Sequence, residues 1–203
     1  RPPRSTLFPY RRSSDLTGLT MAMGIPSGDN DDKATATHNV SITIPTVALV
    51  DVESVNGGEA ALINLTPDIS SLEAGEAVDF GTATNSDLWL NYTSIVQGSG
   101  NNSKREVTVQ LDDETKLPDG VSLLLSAGGV TSGKGKRGKA VEGNVMIGKT
   151  AKSLVTGIGS CYTESGAKKG HQLTYGLDMN NDKYEELMAD SYEVEITFTI
   201  TGE

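Results

Sequence analysis

The chain is poor in the side chains that carry most protein chemistry: 203 residues include one Cys and two His. A lone Cys cannot close an internal disulfide, and the paired Cys spacings of structural zinc sites are missing. Aromatic residues supply only 5% of the chain, which limits recognition by stacked rings. No apolar run approaches the ~18–20 residues needed to cross a bilayer, so no integral membrane segment is expected. Basic residues are outnumbered 17 to 27, for a net charge of −10, and a chain of that sign repels phosphate backbones. Nucleic acid is therefore not an expected partner. The length suits one domain or at most two small ones.

What is abundant is Gly, 23 residues, and hydroxylic side chains, with Ser and Thr together near a fifth of the chain. This composition favours exposed strands separated by turns. From Thr37 onward the dominant period is two, the signature of strands whose successive side chains face opposite sides of a sheet. Val40, Ile42 and Ile44 alternate with Asn39, Ser41 and Thr43; Pro45, which has no donor for a ladder, interrupts them before TVALVDVE (46–53). Further strands are expected at 59–66, 76–81, 88–96, 105–112, 121–127, 144–148, 153–159, 171–178 and 192–201. In the last of these, Val194, Ile196, Phe198 and Ile200 should face the core. Asn56-Gly57-Gly58, Gly98-Ser99-Gly100, Pro118-Asp119-Gly120 and Gly128-Gly129 punctuate the series. About ten short strands without intervening helices predict an all-β, antiparallel, immunoglobulin-like sandwich over 34–203. One short helix is expected, capped by Asp182 with Glu185 three residues on and Tyr184, Leu187 and Met188 on one face.

The first 33 residues do not fit this pattern. Residues 1–16, RPPRSTLFPYRRSSDL, hold four Arg in an otherwise acidic chain and resemble the translation of sequencing-adapter DNA. They are expected to be a non-native or disordered arm, dispensable to the fold. The apolar LTGLTMAMG (16–24) precedes the polar SGDNDDK (27–33) as the end of a signal peptide precedes a mature start, so 17–33 reads as a signal remnant and linker, and the chain as exported.

Several motifs are present in letter only. GNVMIGKT (143–150) matches the phosphate-loop pattern through Gly143, Gly148, Lys149 and Thr150, with VALVD (47–51) as a nominal metal-binding strand. A phosphate loop joins a strand to a helix N-terminus, whereas Val145, Met146 and Ile147 are strand-like and no amphipathic helix follows. GKGKRG (133–138) fits the dinucleotide pattern, but no helix follows and no acidic residue stands about 20 positions on. Its charge is more telling. Lys134, Lys136, Arg137 and Lys139 cluster in an acidic protein, and the segment is expected to be a solvated loop or a docking patch for an anionic glycan or acidic neighbour.

The near-neutral bases His38 and His171 lie far apart, and no nucleophile elbow or zincin motif occurs. Cys161 with His171 as its base is the one catalytic pairing a loop could assemble; a lone Cys at a strand end is more often simply buried. Asp29, Asp31 and Asp32, and Asp178, Asn180 and Asp182, offer oxygen ligands for calcium. In the second set Lys183 and Ala189 occupy positions where a calcium loop needs Gly and Glu, which favours a capped turn. Asn39, Asn64, Asn91 and Asn101 begin glycosylation sequons. The sequence thus assigns no catalytic, cofactor-binding or metal-ligating residue.

The mature-like start ATATHNVSITIP, the VDFGTA before LWLNYTS, and LTYGLD followed by the terminal EVEITFTIT resemble small secreted bacterial β-sandwich proteins of the fimbrial and spore-coat-U-like type. That resemblance implies a non-enzymatic structural or adhesive protein of the cell surface that self-associates through edge strands. The disulfide pair of many fimbrial subunits is missing here. The alternative is a carbohydrate-binding module, for which Trp89, Tyr92, Tyr162 and Tyr175 are the aromatic candidates.

Overall fold

A computed structural model describes residues 37–58, 62–100 and 103–203. The readings of 1–33 and of the Asn101 sequon therefore lie outside the described residues. The chain divides into two units, Arg1–Thr43 and Ile44–Glu203; the described residues 37–43 of the first form neither helix nor strand.

The second unit is all-β and antiparallel. Its strands are β1 (Val47–Ser54), β2 (Thr84–Ile95), β3 (Arg105–Leu111), β4 (Val121–Ala127), β5 (Lys134–Ala140), β6 (Val145–Ile147), β7 (Lys152–Tyr162), β8 (His171–Met179) and β9 (Ile196–Gly202). They form one hydrogen-bonded sheet along the path β6-β4-β8-β2-β7-β3-β9, with β1 added to β2 and β5 to β7. Strand β2 is the hub. Its residues 88–90 pair with both β1 and β8, which must therefore lie on opposite edges; β7 takes over from β8 at Thr93↔Tyr162 and Ser94↔Cys161. Strand β7 is shared likewise between β5 on one edge and β3 then β2 on the other. The sheet curls: Leu111 N–H at the end of β3 donates to Gly148 O beyond β6, 2.9 Å away, although β3 and β6 are far apart along the path.

Alternation places the core. Val107, Val109 and Leu111 of β3, Leu123 and Leu125 of β4, and Leu173 and Tyr175 of β8 point into one cluster with Leu154, Val155 and Ile158 of β7. Each fully buried aliphatic side chain contributes about 1.5–3 kcal/mol. Val194, Ile196, Phe198 and Ile200 pack against this cluster half-buried, with Thr197 and Thr199 outward, as their period implies. Strand β2 departs from alternation, because Leu88 through Tyr92 are buried consecutively. Leu88, Leu90 and Tyr92 join the core, while Asn91 donates to Gly166 O of the β7–β8 loop, so that strand is covered on both faces.

Several expected strands form no ladder. Residues 40–44 are unpaired, with Val40, Ile42 and Ile44 at 71%, 81% and 72% exposure. The β1 ladder begins at Val47↔Ile95, after Pro45, which has no N–H to donate to a ladder. Residues 62–66 are irregular, yet Ile63 and Leu65 pack on the core: alternation without pairing. In 76–81 the Asp79 carboxylate accepts from Gly81 N–H at 2.9 Å and bends the chain into a 3-10 turn, Phe80–Thr82. The expected helix is a 3-10 segment, Asn181–Glu186, broken at Lys183 and capped by Asn180, whose oxygen accepts from Asp182 N–H at 3.1 Å. Asp182 is thus capped rather than capping.

The largest correction is β5. The basic segment expected as a loop is a strand paired with β7 from Lys134↔Tyr162 to Ala140↔Val155. Its glycines permit this. Gly135 and Gly138 have φ of +87° and +75°, and a Cβ on either would overlap the β7 backbone at Ser160 O and Thr156 O. The pattern that imitates a nucleotide fingerprint is what lets β5 approach β7 this closely.

Candidate functional site

Two groups of side chains carry the candidate chemistry, one buried and one exposed. The buried group joins β2, β5, β7 and β8 at Tyr92 and His171, which are 3% and 1% exposed. His171 Nδ1 lies 2.7 Å from Gly128 O and, facing a carbonyl, carries the ring proton there. Nε2 is then an acceptor, and the Tyr92 hydroxyl donates to it across 2.8 Å. Arg137 O on β5 also lies within reach of this hydroxyl as an acceptor, so the single phenol proton serves either Nε2 or Arg137 O at any moment. Arg137 turns its guanidinium inward to Ser132 O at 2.7 Å. Thr163 completes the junction: Tyr92 N–H donates to its hydroxyl at 2.9 Å, and Thr163 N–H donates to Tyr92 O at 3.0 Å.

Burial sets the electrostatics of this group. It raises the Tyr92 phenol far above its usual value, helped by the neighbouring Cys161 and opposed by Arg137. It lowers the His171 pKa, which Arg137 lowers further while the Gly128 hydrogen bond works the other way. It pushes the Cys161 thiol up to about 11, again against Arg137. A nucleophilic Cys needs the opposite shift, and His171 spends both nitrogens on Gly128 and Tyr92. The structure brings Cys161 and His171 to the same buried region around Tyr92 without forming a nucleophile–base hydrogen bond between them. The arrangement cross-links strands.

The exposed group lies on the outer side of β5 and β7. Tyr162 is 47% exposed, directly across from Lys134 on β5 and Thr93 on β2. Cys161, its neighbour in sequence, points inward. Lys134 and Lys136 are exposed, and the Lys136 stem lies over Gly159 of β7. Ser160 Oγ accepts from Val96 N–H at 3.2 Å and keeps its own proton to donate. The four cations of the basic segment therefore separate: Arg137 is structural, Lys139 pairs with Glu142 at 2.9 Å, and Lys134 and Lys136 face solvent. One carboxylate borders the strip, Glu164, which is held below its ordinary pKa first by its bond to Lys169 and also by Lys134.

The remaining candidates separate as follows. Strand β6 runs through the middle of GNVMIGKT and β7 begins at Lys152, so no helix N-terminus faces Lys149 or Thr150. Lys149 N–H instead bonds the Glu114 carboxylate. Asp178 lies on β8 opposite Ser122, and Asn180 spends its oxygen on the cap. Among the described residues, no three His, Cys, Asp or Glu side chains are grouped to hold a metal. Asn91 is buried and closed to modification, whereas Asn39 and Asn64 are exposed. Of the four aromatic candidates, Trp89, Tyr92 and Tyr175 are buried and Tyr162 alone is open. Sequence reasoning missed the Tyr92–His171 bond, since nothing in the spacing of residues 79 apart signals it. No protein-family model, curated protein or solved structure matches the chain. No helix among the described residues is long and apolar enough to cross a membrane.

Proposed function

We propose that this chain is an exported, non-enzymatic β-sandwich protein of the bacterial cell surface that works structurally, by self-association or adhesion. The observation that carries this reading is an open sheet edge preceded in sequence by exposed apolar residues. Strand β1 pairs only with β2 among the described residues, Leu49 on it is 64% exposed, and Val40, Ile42 and Ile44 precede it unburied. A strand edge with unsatisfied donors and acceptors, next in sequence to alternating apolar residues, is suited to adding to another chain. The curl that brings β3 to β6 supports reading the single sheet as a closed sandwich. The residues best suited to catalysis, His171 and Cys161, are committed to the interior. A carbohydrate-binding module is the second reading, favoured by the exposure of Tyr162 beside Lys134.

The test is localisation in the source cells combined with sedimentation of the native protein. Surface material sedimenting well above the 21.4 kDa chain is the expected result. An intracellular monomer at every concentration would overturn the proposal.

A further inference from the structure

We infer that the outer strip of β5 and β7 binds a linear carboxylated polysaccharide, with Lys134 and Lys136 pairing with its carboxylates, Tyr162 stacking on a sugar ring and Ser160 donating to its hydroxyls. This rests on the adhesive half of the function proposed above. The protein as a whole is acidic, at −10, yet these two ammonium groups stand exposed beside an open phenol ring. Residues two apart on a strand are about 6.5–7 Å apart, so two cations and the ring opposite one of them span a few sugar units. The fold leaves part of Tyr162 open: its backbone is held by β2 and β5 while almost half its surface stays in water. A ring with a polar tip beside a cation suits a pyranose, which offers a C–H face for stacking and hydroxyls for hydrogen bonds.

Nucleic acid fits less well. A duplex presents a charge about every 1.7 Å along a stiff rod and would run into the acidic remainder of the surface, Glu164 included. A flexible polysaccharide can follow a strip two strands wide. Strand β5 is itself a poor edge for another strand, because positive-φ glycines and exposed Lys are features that block strand addition. The strip is centred on β5 and β7, and one cross-strand row joins it to the β1 edge: Tyr162 pairs with Thr93 of β2, which pairs with Leu49 of β1, so the two roles are told apart by experiment.

The experiment is biosensor binding of the chain to immobilised polygalacturonate, with dextran and duplex DNA as comparison surfaces. Variants are Lys134→Gln with Lys136→Gln, and Tyr162→Ala; all three positions are solvent-facing, and thermal midpoints check that folding is retained. We expect binding to polygalacturonate that weakens with added salt, and none to dextran. The double lysine variant should bind about tenfold more weakly or worse, the loss expected from removing charge-assisted contacts. Tyr162→Ala should also weaken binding, with the salt dependence unchanged. No binding to polygalacturonate at low ionic strength, equal binding by the variants, or equal binding to DNA would each overturn the inference. Sedimentation of the same variants keeps the two proposals distinct: a size change on removing the lysines would assign the strip to a second copy and overturn the glycan assignment, whereas failure of self-association in the unaltered chain counts only against the assembly reading.

Discussion

The phenol oxygen of Tyr92 lies 2.8 Å from Nε2 of His171, and the two rings stack with centroids 5.7 Å apart. The pair links β2 to β8, its neighbour, and through Arg137 O and Gly128 O it reaches β5 and the segment after β4. A buried acceptor left without its donor costs about 1–3 kcal/mol. Tyr92→Phe keeps the ring and removes only the hydroxyl, so it should lower stability by about that amount, measured as a shift of the denaturant midpoint at constant m. A neutral outcome would mean that water replaces the hydroxyl.

His171 also makes stability depend on pH. Burial lowers its folded pKa, whereas in the unfolded chain it titrates near the ordinary value of about 6.5. Below that pH the unfolded chain takes up a proton that the folded chain refuses. The contribution of a neutral His171 is therefore complete well above pH 6.5 and is lost as the pH falls through 6.5 toward the lowered folded value. The carboxylates Asp68, Asp113 and Glu164, also held low, act at more acidic pH. Denaturant midpoints from pH 8 to 5 should fall more steeply for the native chain than for His171→Gln. Parallel curves would show that His171 takes up its proton as readily in the folded chain as in the unfolded one.

The strand core was legible because its signal is local. Val107–Val109–Leu111 and Leu123–Leu125 alternate by period two and form strands where expected. Alternation reports burial, and ladders need a partner as well. Ile63 and Leu65 are partly buried without one, and Val40 and Ile42 alternate with neither burial nor pairing. Strand β5 was illegible for the converse reason. Lys and Gly have low strand propensity, and it is the free edge of β7 that makes them a strand. At the candidate site the charges and Tyr162 could be listed from sequence, but the register Lys134↔Tyr162 and the inward turn of Arg137 depend on that unforeseen pairing.

Two glycines with similar φ separate backbone strain from close approach. Gly157 has φ +69° with nothing within 4 Å of a Cβ, while at Gly135, φ +87°, a Cβ would overlap Ser160 O and the Cys161 Cα. Gly157→Ala should cost only the left-handed penalty, about 1–2 kcal/mol. Gly135→Ala should cost clearly more and should raise exchange of the β5 and β7 amides, because the strands must separate. Equal costs for the two would mean that β5 lies further from β7 than described.

Removing residues 34–44 tests the edge. Val40, Ile42 and Ile44 are exposed at 71–81%, and the ladder of β1 starts beyond them at Val47, so these side chains bury little apolar surface of their own. Surface positions of that kind usually change stability by no more than about 0.5 kcal/mol each. The shortened chain should therefore keep its denaturant midpoint to within about 1 kcal/mol. Its assemblies should nevertheless shrink, since three aliphatic side chains that a single chain leaves in water each offer about 1.5–3 kcal/mol when another copy buries them. Sedimentation over a range of concentrations measures this directly. If the shortened chain unfolds, the segment belongs to its own fold. If it stays folded with assembly size unchanged, these residues do not hold copies together, and the contact between chains must lie elsewhere on the sheet.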